Sequence, residues 1–156
     1  MVSSITPPGS GEGRVASPEL DDMAPFIEKA AKETNMPADV LGGMVWQESR
    51  ANPDTPGGGV MQIGPDEFAK QKAAHPDLIR GEVTDPESNI MAGAFYLKSL
   101  GGDDNLPLAL RKYNSGPEGT DPSNLRATPA GTGDPDYIEL VTSHAQKIDS
   151  GQPLPP

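Results

Sequence analysis

Pro37-Ala-Asp-Val-Leu-Gly-Gly-Met-Val-Trp-Gln-Glu-Ser-Arg50 runs directly into Ala51-Asn-Pro-Asp-Thr-Pro-Gly-Gly-Gly59, and the fold turns on how these two runs meet. Pro37 has a φ suited to the first turn of a helix, and Asp39 sits where the helix dipole favours a negative charge. Val40, Leu41, Met44 and Val45 recur at helical spacing, and the same step continues to Glu48. A carboxylate therefore occupies the position that prolongs the apolar face. Two prolines and three consecutive glycines then forbid a longer helix and predict a tight, backbone-exposed loop.

A glutamate near a helix end is ordinarily a solvated surface residue. Glu48 differs because it lies on the apolar side and just before a loop whose glycines let a ligand approach closely. Burial disfavours the charged form and raises the pKa, which a general acid working near neutrality requires. Glu48 is thus a candidate catalytic acid/base.

The flanking sequence extends the helical pattern in both directions. Pro25 opens a helix with Phe26, Ile27, Ala30 and Ala31 on one face, ending near Thr34-Asn35. Val60-Met-Gln-Ile63 is a short apolar element, after which Pro65 and Asp66 open a helix to about Ala74. Asp85-Pro86 starts another, carrying Ile90, Ala94 and Leu97 and ending at Gly101-Gly102. Further helices are predicted near Leu106 to Tyr113 and Pro135 to Ile148. No strand-like alternation and no internal repeat occurs, so the expected class is mainly α. Residues 117–135, rich in Gly, Pro, Thr and Asp, form a long connection that either walls a groove or moves freely.

Composition narrows the function. The chain has 156 residues, one domain's worth, with 18 glycines and 18 prolines concentrated at the ends and in a few connections. Expected boundaries are a flexible leader at 1–20, a catalytic domain at 21–148 and a Pro-rich tail at 149–156. With 12 Lys and Arg against 23 Asp and Glu, the surface repels phosphate backbones, so no nucleic-acid partner is expected. There is no cysteine for a disulfide or thiolate site, and His75 and His144 lack ligand spacing; neither a metal nor a cofactor is expected. No apolar run is long enough for a membrane span or a secretory signal, which points to export by another route or to a leader trimmed earlier.

Four motifs follow in order: Trp46-Gln-Glu-Ser-Arg-Ala-Asn-Pro53; Val60-Met-Gln-Ile-Gly-Pro65; Asp85-Pro-Glu-Ser-Asn-Ile-Met-Ala-Gly-Ala-Phe-Tyr-Leu97; and Lys112-Tyr-Asn-Ser-Gly-Pro117. Together they resemble the soluble lytic transglycosylase domain. The resemblance implies a lysozyme-like helical domain of the goose type with disordered or extended tails. It implies cleavage of the β-1,4 bond between N-acetylmuramic acid and N-acetylglucosamine in peptidoglycan, with closure of a 1,6-anhydro ring.

Carried over by position, Glu48 matches the single acid/base and Gln62 the amide that hydrogen-bonds the glycan. Tyr113 matches the aromatic hydroxyl near the glutamate, orienting the carboxylate or touching the N-acetyl group. Met61, Asn114 and Ser49 join the expected substrate-binding set; for Ser49 local stabilisation is the stronger reading, and for Asn114 helix termination. Asn89 is expected to bond backbone within the domain.

The chain departs from the pattern at three places. The loop before Val60 is shorter, Gly64 stands where a methionine is common, and no Glu-Thr precedes Tyr137.

The resulting expectation is a small monomeric enzyme that opens the cell wall locally for a secretion system, with secretion-system components as partners. Location is the periplasm or outside the cell, reached by type III export or as a phage-borne protein. The alternatives are a goose-type lysozyme-like hydrolase and a non-catalytic peptidoglycan-binding or assembly protein.

Overall fold

The computed structural model describes residues 15–156. Six α-helices follow in order: α1 (Ala24–Thr34), α2 (Ala38–Ser49), α3 (Pro65–Ala74), α4 (Pro86–Ser99), α5 (Leu106–Ser115) and α6 (Tyr137–Ser150). Short 3-10 turns lie at Pro18–Leu20, Gly59–Met61 and Pro129–Gly131, and no strand occurs among the described residues. The mainly α expectation therefore holds.

Ten of the twelve residues of α2 are buried, on every side of the helix rather than along one stripe. The reason is α6, which packs more extensively on α2 than any other helix does. Gly43 makes this possible: a Cβ there would lie 2.8 Å from the Val141 carbonyl oxygen, so only a glycine admits the α6 backbone at this distance. At Gly42 a Cβ would stand 2.9 Å from Ile148 Cδ1. The apolar-face argument for Glu48 thus understates the helix, which is the central element of the core.

The helix stops abruptly after Ser49. Arg50 (φ 53°) and Ala51 (φ 61°) are both left-handed, a conformation that costs a non-glycine residue about 1–2 kcal/mol. Arg50 offsets part of this by donating Nη1–H to the Trp46 carbonyl at 3.0 Å and lying over the Trp46 ring. The turn swings the chain into the 52–58 loop and the Gly59–Met61 turn.

Asn89 holds that turn in place from α4. Fully buried, it accepts from Met61 N–H (2.8 Å) and donates to the carbonyls of Gly58 (2.7 Å) and Val83 (2.8 Å). It bonds backbone, as expected, and ties two chain segments, the 58–61 turn and Val83, to one helix.

The ends are more involved than composition suggests. Val15 and Leu20, inside the predicted leader, are buried; residues 1–14 lie outside the described residues. At the other end α6 runs on to Ser150, and the irregular segment 151–156 docks onto the domain. Leu154 is buried, its N–H donates to Glu19 (3.0 Å), and Trp46 Nε1–H donates to the Pro155 carbonyl (2.8 Å). No helix among the described residues is long and apolar enough to cross a membrane.

Candidate active site

Glu48 sits one residue before the end of α2, half-buried, where the core helix reaches the surface. Tyr137 Oη donates to its Oε2 at 2.8 Å. Burial raises the carboxyl from 4.5 to about 7, while the bond from Tyr137 favours the charged form and pulls the other way. Burial is the larger effect. Near neutral pH such a group is about equally divided between acid and base, so it both donates and accepts a proton without strong driving in either direction.

Two phenols frame it. Tyr137, at the start of α6, and Tyr113, in the last turn of α5, are both buried, and both hydroxyls are pushed well above their ordinary range by burial and by the nearby Glu48 charge. They remain neutral donors at any working pH. Tyr113 Oη donates to the Met61 carbonyl at 2.7 Å, and its ring lies 5.4 Å from that of Tyr96. The sequence expectation that Tyr113 orients the carboxylate is therefore corrected: Tyr137 makes the contact and Tyr113 fastens the turn that carries Gln62.

Met61, Ser49 and Asn114 all make contacts within the fold, for Ser49 in line with the local stabilisation expected of it. Met61 has no exposure and packs against Gly93, where a Cβ would meet its sulfur at 2.7 Å; its side chain cannot reach a ligand in this arrangement. Ser49 is buried and donates back to the Val45 carbonyl at 3.0 Å, as a serine in a helix does when no polar partner is near. Asn114 does not end α5, which continues to Ser115; its Oδ1 accepts from Asp134 N–H (2.7 Å) and from Arg111.

Gln62 remains partly exposed, with a left-handed backbone (φ 49°). Its Nε2 donates to the carbonyls of Gly59 (2.8 Å) and Pro56 (3.0 Å), closing the shortened Gly-rich loop. These two bonds fix the orientation of its amide.

Behind Glu48, His144 of α6 pairs through Nε2 with Gln47 Oε1 at 2.9 Å. Burial, with Arg50 and Lys147 adding to it, lowers its pKa from 6.5 to about 4, so the ring is neutral. His75 lies elsewhere, stacked on Phe95 with ring centroids 3.6 Å apart. Asp54 and Asp66 are exposed, and the charge of Glu67 bears on Tyr96. Glu48 thus stands beside two phenols, one of them hydrogen-bonded to it.

Sequence reasoning missed Tyr137 and Arg111. Tyr137 lacked the preceding Glu-Thr that would have marked it, and Arg111 resembles any mid-helix arginine until its burial is seen.

The model of the transglycosylase SLT domain family matches residues 25–129. No curated protein and no solved structure matches the chain. The family match spans Glu48, Gln62, Asn89 and Tyr113 and ends before Tyr137.

Proposed function

The chain belongs to the transglycosylase SLT domain family, whose activity is the lytic cleavage of peptidoglycan, and from that premise we propose Glu48 as its single acid/base group. The half-buried carboxyl poised at about 7 beneath Tyr137 is the observation that carries the proposal. In the first step the Glu48 carboxylic acid gives its proton to the oxygen bridging N-acetylmuramic acid to N-acetylglucosamine, and the C1–O bond breaks. Tyr137 holds the carboxylate that results, and the N-acetyl group of the muramoyl residue shields the electron-poor C1. In the second step the carboxylate takes the proton of the muramoyl C6 hydroxyl, whose oxygen bonds to C1 and closes the 1,6-anhydro ring. The proton lost at the start is regained at the end, and no water is consumed.

A hydrolase acting by direct displacement or inversion places a second carboxylate across the bond. Glu48's partners are phenols, which supports the intramolecular route. Gln62, with its amide nitrogen committed to the loop, offers its oxygen to the sugar, and Tyr113 secures the turn beneath it.

The test is digestion of purified peptidoglycan by the wild-type chain and by Glu48→Gln, with mass analysis of the products. Fragments one water lighter than hydrolytic ones, lost with Glu48→Gln, are the expected result. Full-mass fragments identify a lysozyme-like hydrolase instead, and binding without fragments identifies a wall-binding or assembly role.

For the biological setting we propose local opening of the wall for a secretion system, reached by type III export. The support is the small, uncharged composition of residues 2–10. Deletion of 2–14, which spares the buried Val15 and Leu20, should abolish export and leave activity intact. Continued export of the deletion variant would count against this route.

A further inference from the structure

We propose that Arg111 is the positioning residue of this site, holding Tyr137 against Glu48 through the backbone of Asp134; the inference rests on Glu48 being the acid/base group. Arg111 has no solvent exposure, and although the Asp134 charge nearby favours its cation, no carboxylate accepts a hydrogen bond from it. Burying a cation in this way is costly, and an aliphatic residue would serve helix packing better. Its donors go instead to Ser115 Oγ (3.1 Å), to the carbonyls of Leu125 (3.2 Å) and Asp134 (2.9 Å), and to Asn114 Oδ1. One Nη1 therefore gathers two distant points of the 117–136 connection onto the last turn of α5. A long connection rich in Gly and Pro would otherwise sample many conformations.

The link to the site is direct. The Asp134 carbonyl that accepts from Arg111 also accepts from Tyr137 N–H at 3.0 Å, and Tyr137 Oη reaches Glu48. Asn114 Oδ1 grips the same residue through the preceding peptide, accepting from Asp134 N–H. Gly133 completes the joint. Its φ is +104°, and a Cβ there would lie 2.5 Å from Asn114 Oδ1, 2.6 Å from Ser115 Oγ and 2.9 Å from Arg111 Nη2. By contrast, Arg126 of the same connection, which pairs with Asp136 and with Glu139 of α6, is exposed and contributes little order.

The experiment compares wild type, Arg111→Lys, Gly133→Ala, Tyr137→Phe, the double variant Arg111→Lys/Tyr137→Phe, and Arg126→Ala as a control. Turnover of peptidoglycan is read beside the titration of the Glu48 carboxyl, followed by carbon-13 NMR in the substrate-free protein. Arg111→Lys should lower kcat about ten-fold or more with KM little changed, because positioning is lost rather than binding. It should also move the Glu48 titration toward that of Tyr137→Phe.

The double variant should be no slower than Tyr137→Phe alone, since both act through one contact. Arg126→Ala should match wild type. Gly133→Ala disturbs the same joint from the backbone side and carries the test if Arg111→Lys does not fold. Losses that multiply in the double variant, or an unmoved Glu48 titration in every folded joint variant, would overturn the proposal. If the wild type does not cleave peptidoglycan at all, the proposed function fails, and the NMR titration still decides whether Arg111 positions Tyr137.

Discussion

Replacing Glu48 by glutamine should stabilise the protein as it inactivates it, and the gain should depend on pH. The folded state raises the carboxyl from 4.5 to about 7, so folding favours the protonated form. That contribution is fully present below pH 4.5 and is lost as pH rises through about 7. Above that range the wild type carries a half-buried carboxylate, at a cost of about 3 kcal/mol relative to acid conditions. Glutamine resembles the protonated acid and still accepts from Tyr137 Oη, while its new N–H groups need partners and trim the gain. The expected excess stability of Glu48→Gln is about 2–3 kcal/mol at about pH 9 and near zero at about pH 4. For a domain of this size that is a rise of roughly 5–10 °C in melting temperature at the alkaline end. Urea unfolding of both proteins at a series of pH values measures it. Equal stabilities throughout, or an excess that grows toward acid, would refute the burial argument.

Three further outcomes follow from the same contacts. Tyr113→Phe leaves the Met61 carbonyl without its donor and should cost about 1–3 kcal/mol in urea unfolding; no loss would mean that the hydroxyl contributes nothing there. Asn89→Ala removes three hydrogen bonds of a buried side chain at once and should cost upwards of about 3 kcal/mol, with the 56–62 loop gaining rapid amide exchange. His144, lowered to about 4, favours the neutral ring in the fold, so its stabilisation is present above pH 6.5 and is lost as pH falls through about 4. Because Glu48 titrates in the opposite sense, the comparison is made in Glu48→Gln, where His144→Gln should flatten the loss of stability between those pH values. An unchanged acid limb would show that His144 does not drive it.

Much of this protein is legible without coordinates because its local structure obeys local rules. Prolines at first helical turns, glycines after last ones and the i, i+4 recurrence of apolar residues place the six helices. Asp85, whose carboxylate caps Ser88 at the start of α4, depends on a partner three residues away. The order of the motifs marked Glu48 as the acid/base candidate and the lysozyme-like class. What the sequence could not decide is which side chains share a partner across the fold. The motifs pointed to Tyr113 as the companion of Glu48 and passed over Tyr137; only the packing of α6 on α2 brings in Tyr137, 89 positions away, and leaves Tyr113 to the Met61 carbonyl. Arg111 shows the same division. Its place on α5 follows from helical periodicity, whereas its burial and its hold on Asp134 depend on how a 20-residue connection with little structure of its own closes over the helix, since long-range partners are set by the balance of burial and chain entropy rather than by neighbouring residues.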